Sequence, residues 1–283
     1  MSTPPPPLVF AQAIAPLLLG SIFASPLYGI ALAQGISYYR SYPRDNKFVK
    51  CSVALLLLID SVHMFSLANA VLVWYLRAVP DSQYPPSMIA STFASYVTTA
   101  LVQSAFTLRV WILYEKQWAV PSIIGVLVLC QLGGGLGMAV NMGVSGSFND
   151  VHDANSTIFG NLELASAMIC DLMICITLVY SLRKNRSGIK ASDAMIDKLI
   201  FYFIGISTLS SVFALLNLVT WVAMPNNIIF VIFHSIISKL YVNSLLVTLN
   251  SRQQFRRNLS NSNGVDTSKE DGVIPLSTFV AEA

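Results

Sequence analysis

Seven runs of about 20 or more mostly apolar residues, parted by short polar stretches, leave this chain few folds to choose from. They fall at 14–38, 51–75, 88–111, 120–144, 158–182, 199–222 and 227–249. The hydrocarbon core of a bilayer is about 30 Å thick, and a helix rising 1.5 Å per residue crosses it in about 20 apolar residues. Inside lipid every backbone amide must be satisfied within the protein, which leaves α-helices or closed barrels. Barrel strands need only about 10 residues with alternating polarity, so runs of this length predict helices. The predicted fold is all-α, a bundle of seven transmembrane helices. Composition agrees: 54% of residues are hydrophobic and 11% charged, against about 25% charged in soluble domains. Pro26 lies near the middle of the first run and predicts a kink there.

Charge placement orients the bundle. Of 17 Lys and Arg, fifteen lie on one side: Arg40, Arg44, Lys47, Lys50, Arg109, Lys116, Arg183, Lys184, Arg186, Lys190, Lys198, Arg252, Arg256, Arg257 and Lys269. Arg77 alone is on the other, and Lys239 falls within a run. Positive residues mark the cytosolic side, so the reading places the N-terminus outside and the C-terminus in the cytosol. Asp81, Asp150, Asp153 and the sequon Asn155-Ser156-Thr157 then lie outside, making Asn155 a glycosylation candidate. Three parts follow: an extracellular Pro-rich N-terminus at 1–13, the membrane domain at 14–250, and a cytosolic, disordered polar tail at 251–283. Pro4 to Pro7 predict a short extended polyproline segment. The start lacks a basic n-region, so the first run reads as a retained signal-anchor. Tyr38, Tyr39, Trp74, Tyr75, Trp111, Tyr114, Trp118 and Trp221 stand at run ends, as an aromatic belt does. The membrane itself is either the plasma membrane or an endomembrane.

Cys51, Cys130, Cys170 and Cys175 all sit in or beside apolar runs, which argues against a disulfide framework. In the fourth run Gly133 and Gly137 have GxxxG spacing, which lets helices approach closely. No GxSxG, HExxH, P-loop or Cys/His metal spacing is present, so no enzyme activity, metal or cofactor is expected. The partners expected are the lipid bilayer, a small-molecule ligand and a cytosolic protein at the basic inner loops, with no nucleic acid.

The candidate site is the set of ionisable and polar residues inside the runs, where they are expensive and face the bundle interior. Asp60 and His63 lie in the second run, Asp171 in the fifth, and His234, Lys239 and Asn243 in the seventh. Counted from the cytosolic ends, Asp60, Asp171 and Lys239 come within about 3 Å in depth, so they are expected to form one charge-compensated layer. That layer serves as a polar lock between helices or as a site for ions, protons or a ligand. Asp60 and His63, three residues apart, share a helix face, where they are expected either to pair for proton relay or to leave the His as a hydrogen-bond donor within the core. Gln103, Gln131, Ser235, Asn243 and Asn250 extend the layer. Glu163 falls near the outer end of its run, where water is expected to reach it.

The segment Ser238-Lys-Leu-Tyr-Val-Asn-Ser-Leu-Leu-Val-Thr-Leu-Asn-Ser-Arg252 stands out. So do Leu182-Arg-Lys-Asn-Arg-Ser-Gly-Ile-Lys-Ala-Ser-Asp193, Met224-Pro-Asn-Asn-Ile228, Asp60 with His63, and Leu19-Gly-Ser-Ile22. With these, the chain resembles, over about 15–252, a basidiomycete multi-pass membrane family classed as a domain of unknown function. The resemblance implies a fungal source and seven helices, and no activity. Three functions compete. A receptor-like or sensor protein fits the topology, although the third run ends Arg109-Val-Trp-Ile-Leu-Tyr114 and the seventh lacks Asn-Pro-x-x-Tyr. A small proton-coupled transporter would use Asp60, Asp171 and Lys239. A retinal protein would use Lys239, but Ser235 stands where an Asp is expected one turn earlier.

Overall fold

The computed structural model describes residues 7–77, 84–113, 117–146, 152–184, 190–224 and 227–262. Asp81, Tyr114, Lys116, Asp150, Arg186, Lys269, Pro4 to Pro6 and the tail 263–283 lie outside the described residues. So do the side chains of Arg77, Lys190, Lys198, Arg252, Arg256 and Arg257. Seven helices are present: α1 Pro7–Ser41, α2 Lys47–Arg77, α3 Pro86–Leu113, α4 Ala119–Ser145, α5 Ala154–Lys184, α6 Lys190–Ala223 and α7 Phe230–Ser262. Among the described residues there is no strand. Six helices (α1 to α5 and α7) are long and apolar enough to cross a membrane, while in α6 the described apolar run is shorter, Ser207–Ala223.

The helices outrun the apolar segments that announce them. α6 begins at Lys190 rather than 199, and α7 continues to Ser262 rather than ending near 249. Hydropathy measures only the lipid-matched part. Beyond it, good helix formers such as Ala191, Ala194 and Met195, or Arg252, Gln253 and Gln254, let the helix propagate into water. The tail expected from 251 is therefore helical over its first three turns. Pro7 opens α1, where a missing N–H costs nothing. Pro26 lies inside α1 and frees the carbonyl of Ile22, which Ser25 Oγ satisfies at 3.1 Å.

Consecutive helices pack side by side, and α1 closes the ring against α7. α3 also touches α5 and α7, and α7 touches α2. Of α7's apolar span 61% is buried, against 28% for α1 and for α2, so α7 is a central helix. Large apolar side chains elsewhere point outward, among them Phe65, Leu129, Val144, Ile176 and Phe201. Such a surface suits lipid and not water.

The interior is stratified. One apolar cluster, with Leu17, Leu67, Trp74, Met88, Met138, Trp221 and Val231, fills the upper end, where α1, α3, α5 and α7 begin. A second, with Tyr38, Leu56, Phe106, Ile174, Leu178 and Leu246, fills the lower end. Between them lie buried polar residues: Asp60, His63, Thr98, Gln103, Gln131, Ser235, Ser238 and Lys239.

A backbone-to-backbone approach joins α4 to α5. A Cβ on Gly134 would lie 2.9 Å from both the Phe159 carbonyl and the Glu163 amide, and one on Gly137 would meet the Phe159 ring at 2.6 Å. Gly133 faces open space. The glycine pair that sets the contact is thus Gly134 with Gly137, not Gly133 with Gly137. α1 and α7 run parallel and are stitched by two side-chain amides. Asn243 Nδ2 donates to the Leu27 carbonyl and Asn250 Nδ2 to that of Gln34, each at 2.9 Å. Donors and acceptors both step by seven residues, the repeat that keeps two parallel helices in register. One heptad above Leu27, Gly20 admits Ser235, whose Oγ would lie 3.3 Å from an added Cβ.

Candidate functional site

α2 and α7 meet in the polar stratum through Asp60 and Lys239. Lys239 Nζ lies 2.5 Å from Asp60 Oδ1 and donates to the backbone carbonyl of Asp60 at 3.2 Å. Both side chains are 0% exposed, so neither charge has water to fall back on. The ammonium also stands 5.5 Å from the centre of the Tyr28 ring, and Tyr28 Oη shares a 2.8 Å hydrogen bond with Ser61 Oγ. One turn beyond Lys239, Asn243 Nδ2 donates to the Lys239 carbonyl at 2.8 Å as well as to α1. The pair thus ties α2 to α7, with α1 leaning on both.

His63 is buried beside this pair, within electrostatic range of Lys239 and His234. No hydrogen bond joins it to Asp60: His63 Nδ1 and Asp60 Oδ2 are both buried without a partner among the described residues. The expected Asp–His pair is therefore not formed; the bonded oxygen of Asp60 meets the Lys239 ammonium instead. His234 packs edge-on against Tyr96, ring centres 5.1 Å apart, and its Nε2 is likewise unpartnered. So are Ser238 Oγ and Asn243 Oδ1. Nearly all buried polar atoms in folded proteins have partners, so this group is a set of unused contacts in the core.

Asp171 does not join Asp60 and Lys239. Its Oδ1 accepts from Gln103 Nε2 at 3.1 Å, and its Oδ2 accepts from the Tyr241 hydroxyl. The expected three-member layer is two separate centres. Residues 239 and 241 are two apart on α7, about 200° around the helix. Lys239 therefore faces α2 and α1, while Tyr241 faces α3 and α5. The sequence had singled out Gln103 but not Tyr241 or Tyr96. The available signal was a tyrosine in mid-span, away from the belt where its hydroxyl normally meets water.

Two small cavities flank the stratum. One, of about 40 Å³, is lined by Gln103, Asp171, Ser207, Ser210, Tyr241 and Ser244, with Phe106, Ile174 and Leu178. The other, of about 30 Å³ in the upper half, is lined by three methionines (Met88, Met138 and Met142), with Tyr84, Tyr96 and His234 among its other walls. Glu163, expected to meet water, is instead 7% exposed, because Gly134 brings α4 against the α5 backbone there.

At the upper end Asp153 caps α5: its Oδ1 accepts from the Ser156 amide at 2.7 Å and from Asn141 Nδ2 at 3.0 Å. Hydrogen bonds from Ser156, side chain and backbone, hold the Asp153 carboxyl below its usual range. Asn155, in the first turn of α5, is exposed. The neighbouring His152 packs tilted against Trp221, ring centres 4.1 Å apart, and burial pushes its imidazole pKa down. The four cysteines are free.

A little under a third of the chain, carrying several of these groups, matches a known family. Residues 167–254 match a family of unknown function, DUF6534. The DUF6534 match runs from mid-α5 to α7. It takes in Asp171, His234, Lys239, Tyr241 and Asn243, and leaves out Asp60, His63 and Gln103. No curated protein and no solved structure matches the chain.

Proposed function

We propose that this protein is a receptor-like membrane sensor, with seven spans, its N-terminus outside and its C-terminus in the cytosol. The fifteen-to-one distribution of Lys and Arg supports that orientation, and the helical length of α6 supports the seventh span. The upper cavity is then the outer one. At about 30 Å³ it has room for about one water as it stands; in this reading a small ligand binds there as the walls repack, the basic inner ends meet a cytosolic partner, and no chemical step is catalysed. The exposed Asn155 lies outside. The wider kinship with basidiomycete proteins over about 15–252, and the fungal source it implies, belong to the same reading.

The observation that carries it is that α7 does two jobs. Through Val231 and His234 it walls the outer cavity, and five residues on from His234 it holds the sealed Lys239–Asp60 pair. In this reading a ligand that shifts α7 at the cavity acts directly on that contact and turns it from paired to unpaired. Coupling between sites needs such a bistable element. Methionine-lined walls can repack around a guest.

The carrier reading has one observation in its favour: Asp171, bonded to a phenol, faces a cavity large enough for about one water. The two readings part on one experiment. Proteoliposomes are placed under an imposed pH gradient, and amide exchange at the inner ends of α6 and α7 is compared in wild type and Lys239→Met. The receptor-like reading expects no proton flux above empty liposomes and faster exchange in the variant. Flux that Asp60→Asn and Asp171→Asn both abolish would replace it with a proton-coupled carrier.

A further inference from the structure

Six of the nine residues that line the cavity beside Asp171 are polar, and most of their protons are already spent. Gln103 Nε2 and the Tyr241 hydroxyl both donate to Asp171. Ser210 Oγ donates to the Ser207 carbonyl at 3.1 Å, and Ser244 Oγ to the Tyr241 carbonyl at 2.7 Å. A hydroxyl has one proton and two lone pairs. What Tyr241, Ser210 and Ser244 have left to offer is lone pairs. Gln103 Oε1 is a buried acceptor without a partner. These groups, with Asp171, line the same space of about 40 Å³.

The charge is also unbalanced. The buried lysine of the stratum is committed to Asp60 on the other side of α7. Among the described residues no Lys, Arg or His forms an ion pair with Asp171. A carboxylate within the membrane region needs a counter-charge. A water molecule brings two protons and no charge, whereas a cation brings the charge and accepts only lone pairs. Carboxylate, carbonyl and hydroxyl oxygens are the ligands that hard cations take.

We infer that the cavity between α3, α5, α6 and α7 is a binding site for a small monovalent cation, ligated by Asp171 and Gln103 Oε1 with the hydroxyl oxygens of Ser210, Ser244 and Tyr241. A single carboxylate matches a single positive charge, and the volume matches an ion with little or no water. The site would add to the bond from Tyr241 to Asp171 that already ties α7 to α5. It uses neither the Asp60–Lys239 pair nor the outer cavity, so it is independent of the receptor-like reading; in a carrier that moves protons through Asp171 the same cavity would be the pathway.

The test is thermal unfolding of the full-length protein in nanodiscs, with sodium chloride exchanged for choline chloride at constant ionic strength and constant pH. Choline is too large for the cavity. Saturating sodium is expected to raise Tm by about 2–4 °C over choline. Asp171→Asn is expected to abolish the difference. Ser210→Ala keeps the carboxylate and removes one ligand, so it is expected to raise the half-effective sodium concentration about five-fold, and it decides the matter if Asp171→Asn does not fold. Equal Tm in sodium and choline overturns the inference. So does a sodium effect that survives unchanged in Ser210→Ala and in any folded Asp171→Asn.

Discussion

Replacing Lys239 by methionine removes one half of a pair that has no access to water. The ammonium makes a 2.5 Å contact with the carboxylate and a 3.2 Å bond to the same residue's backbone, and both side chains are 0% exposed. Breaking a buried ion pair from one side typically costs about 3–5 kcal/mol, because the charge left behind is uncompensated. Removing both charges is far milder, since the desolvation that opposed the pair disappears with it. Lys239→Met should therefore lower Tm by about 6–20 °C, at about 2–4 °C per kcal/mol for a chain of this size. Adding Asp60→Asn should recover most of that loss. The assay is a double-mutant cycle on thermal unfolding in nanodiscs at constant pH, and the expected coupling is about 2–3 kcal/mol. Additive effects, with a coupling below about 0.5 kcal/mol, would show that the two residues do not depend on one another and would sink the lock.

Three further outcomes test other parts of the structure. Gly134→Ala puts a methyl 2.9 Å from the α5 backbone and should cost about 1–3 kcal/mol in thermal unfolding, whereas Gly133→Ala meets nothing and should be neutral or stabilising. Because the folded pKa of Asp153 is depressed, its contribution is fully present above the unfolded value of about 3.9 and is lost as pH falls through the lower folded value. Protection of the first-turn amides of α5, after correction for the intrinsic pH dependence of exchange, should fall over that acid window and stay constant in Asp153→Asn. Expression in a glycosylating host should give a product whose mobility shifts on endoglycosidase treatment, and Asn155→Gln should remove the shift. An untreated-like band throughout would argue against placing that end outside.

The sequence carried depth well and azimuth poorly. Hydrophobic run length located every helix to within a few turns, because crossing lipid is a one-dimensional requirement. The same counting put Asp60, Asp171 and Lys239 at one depth, and the bonds Lys239 makes to Asp60 and Tyr241 to Asp171, two residues apart on α7, agree with that. Which partner each faces depends on how far each helix is rotated about its axis. A chain apolar on nearly all sides gives almost no rotational signal, so the layer was read as one centre instead of two. The glycines failed for the same reason. Spacing identified a close approach in α4, but the facing residue of the pair was Gly134 and not its neighbour Gly133. Glu163 shows the limit of depth alone: near a helix end, burial is decided by the helix across from it.

The lock between the second and the seventh helix also has a consequence for how the protein is made. Helices enter the membrane in the order of synthesis, so α2 arrives with Asp60 long before α7 brings Lys239. The amides that fasten α1 are on α7 as well, at Asn243 and Asn250. Until the seventh helix emerges, the nascent bundle therefore holds a carboxylate with no ammonium beside it and a first helix that packs on α2 but lacks its larger contact. Assembly quality control in the membrane can read that state directly, and a chain that stops before α7 advertises itself as unfinished.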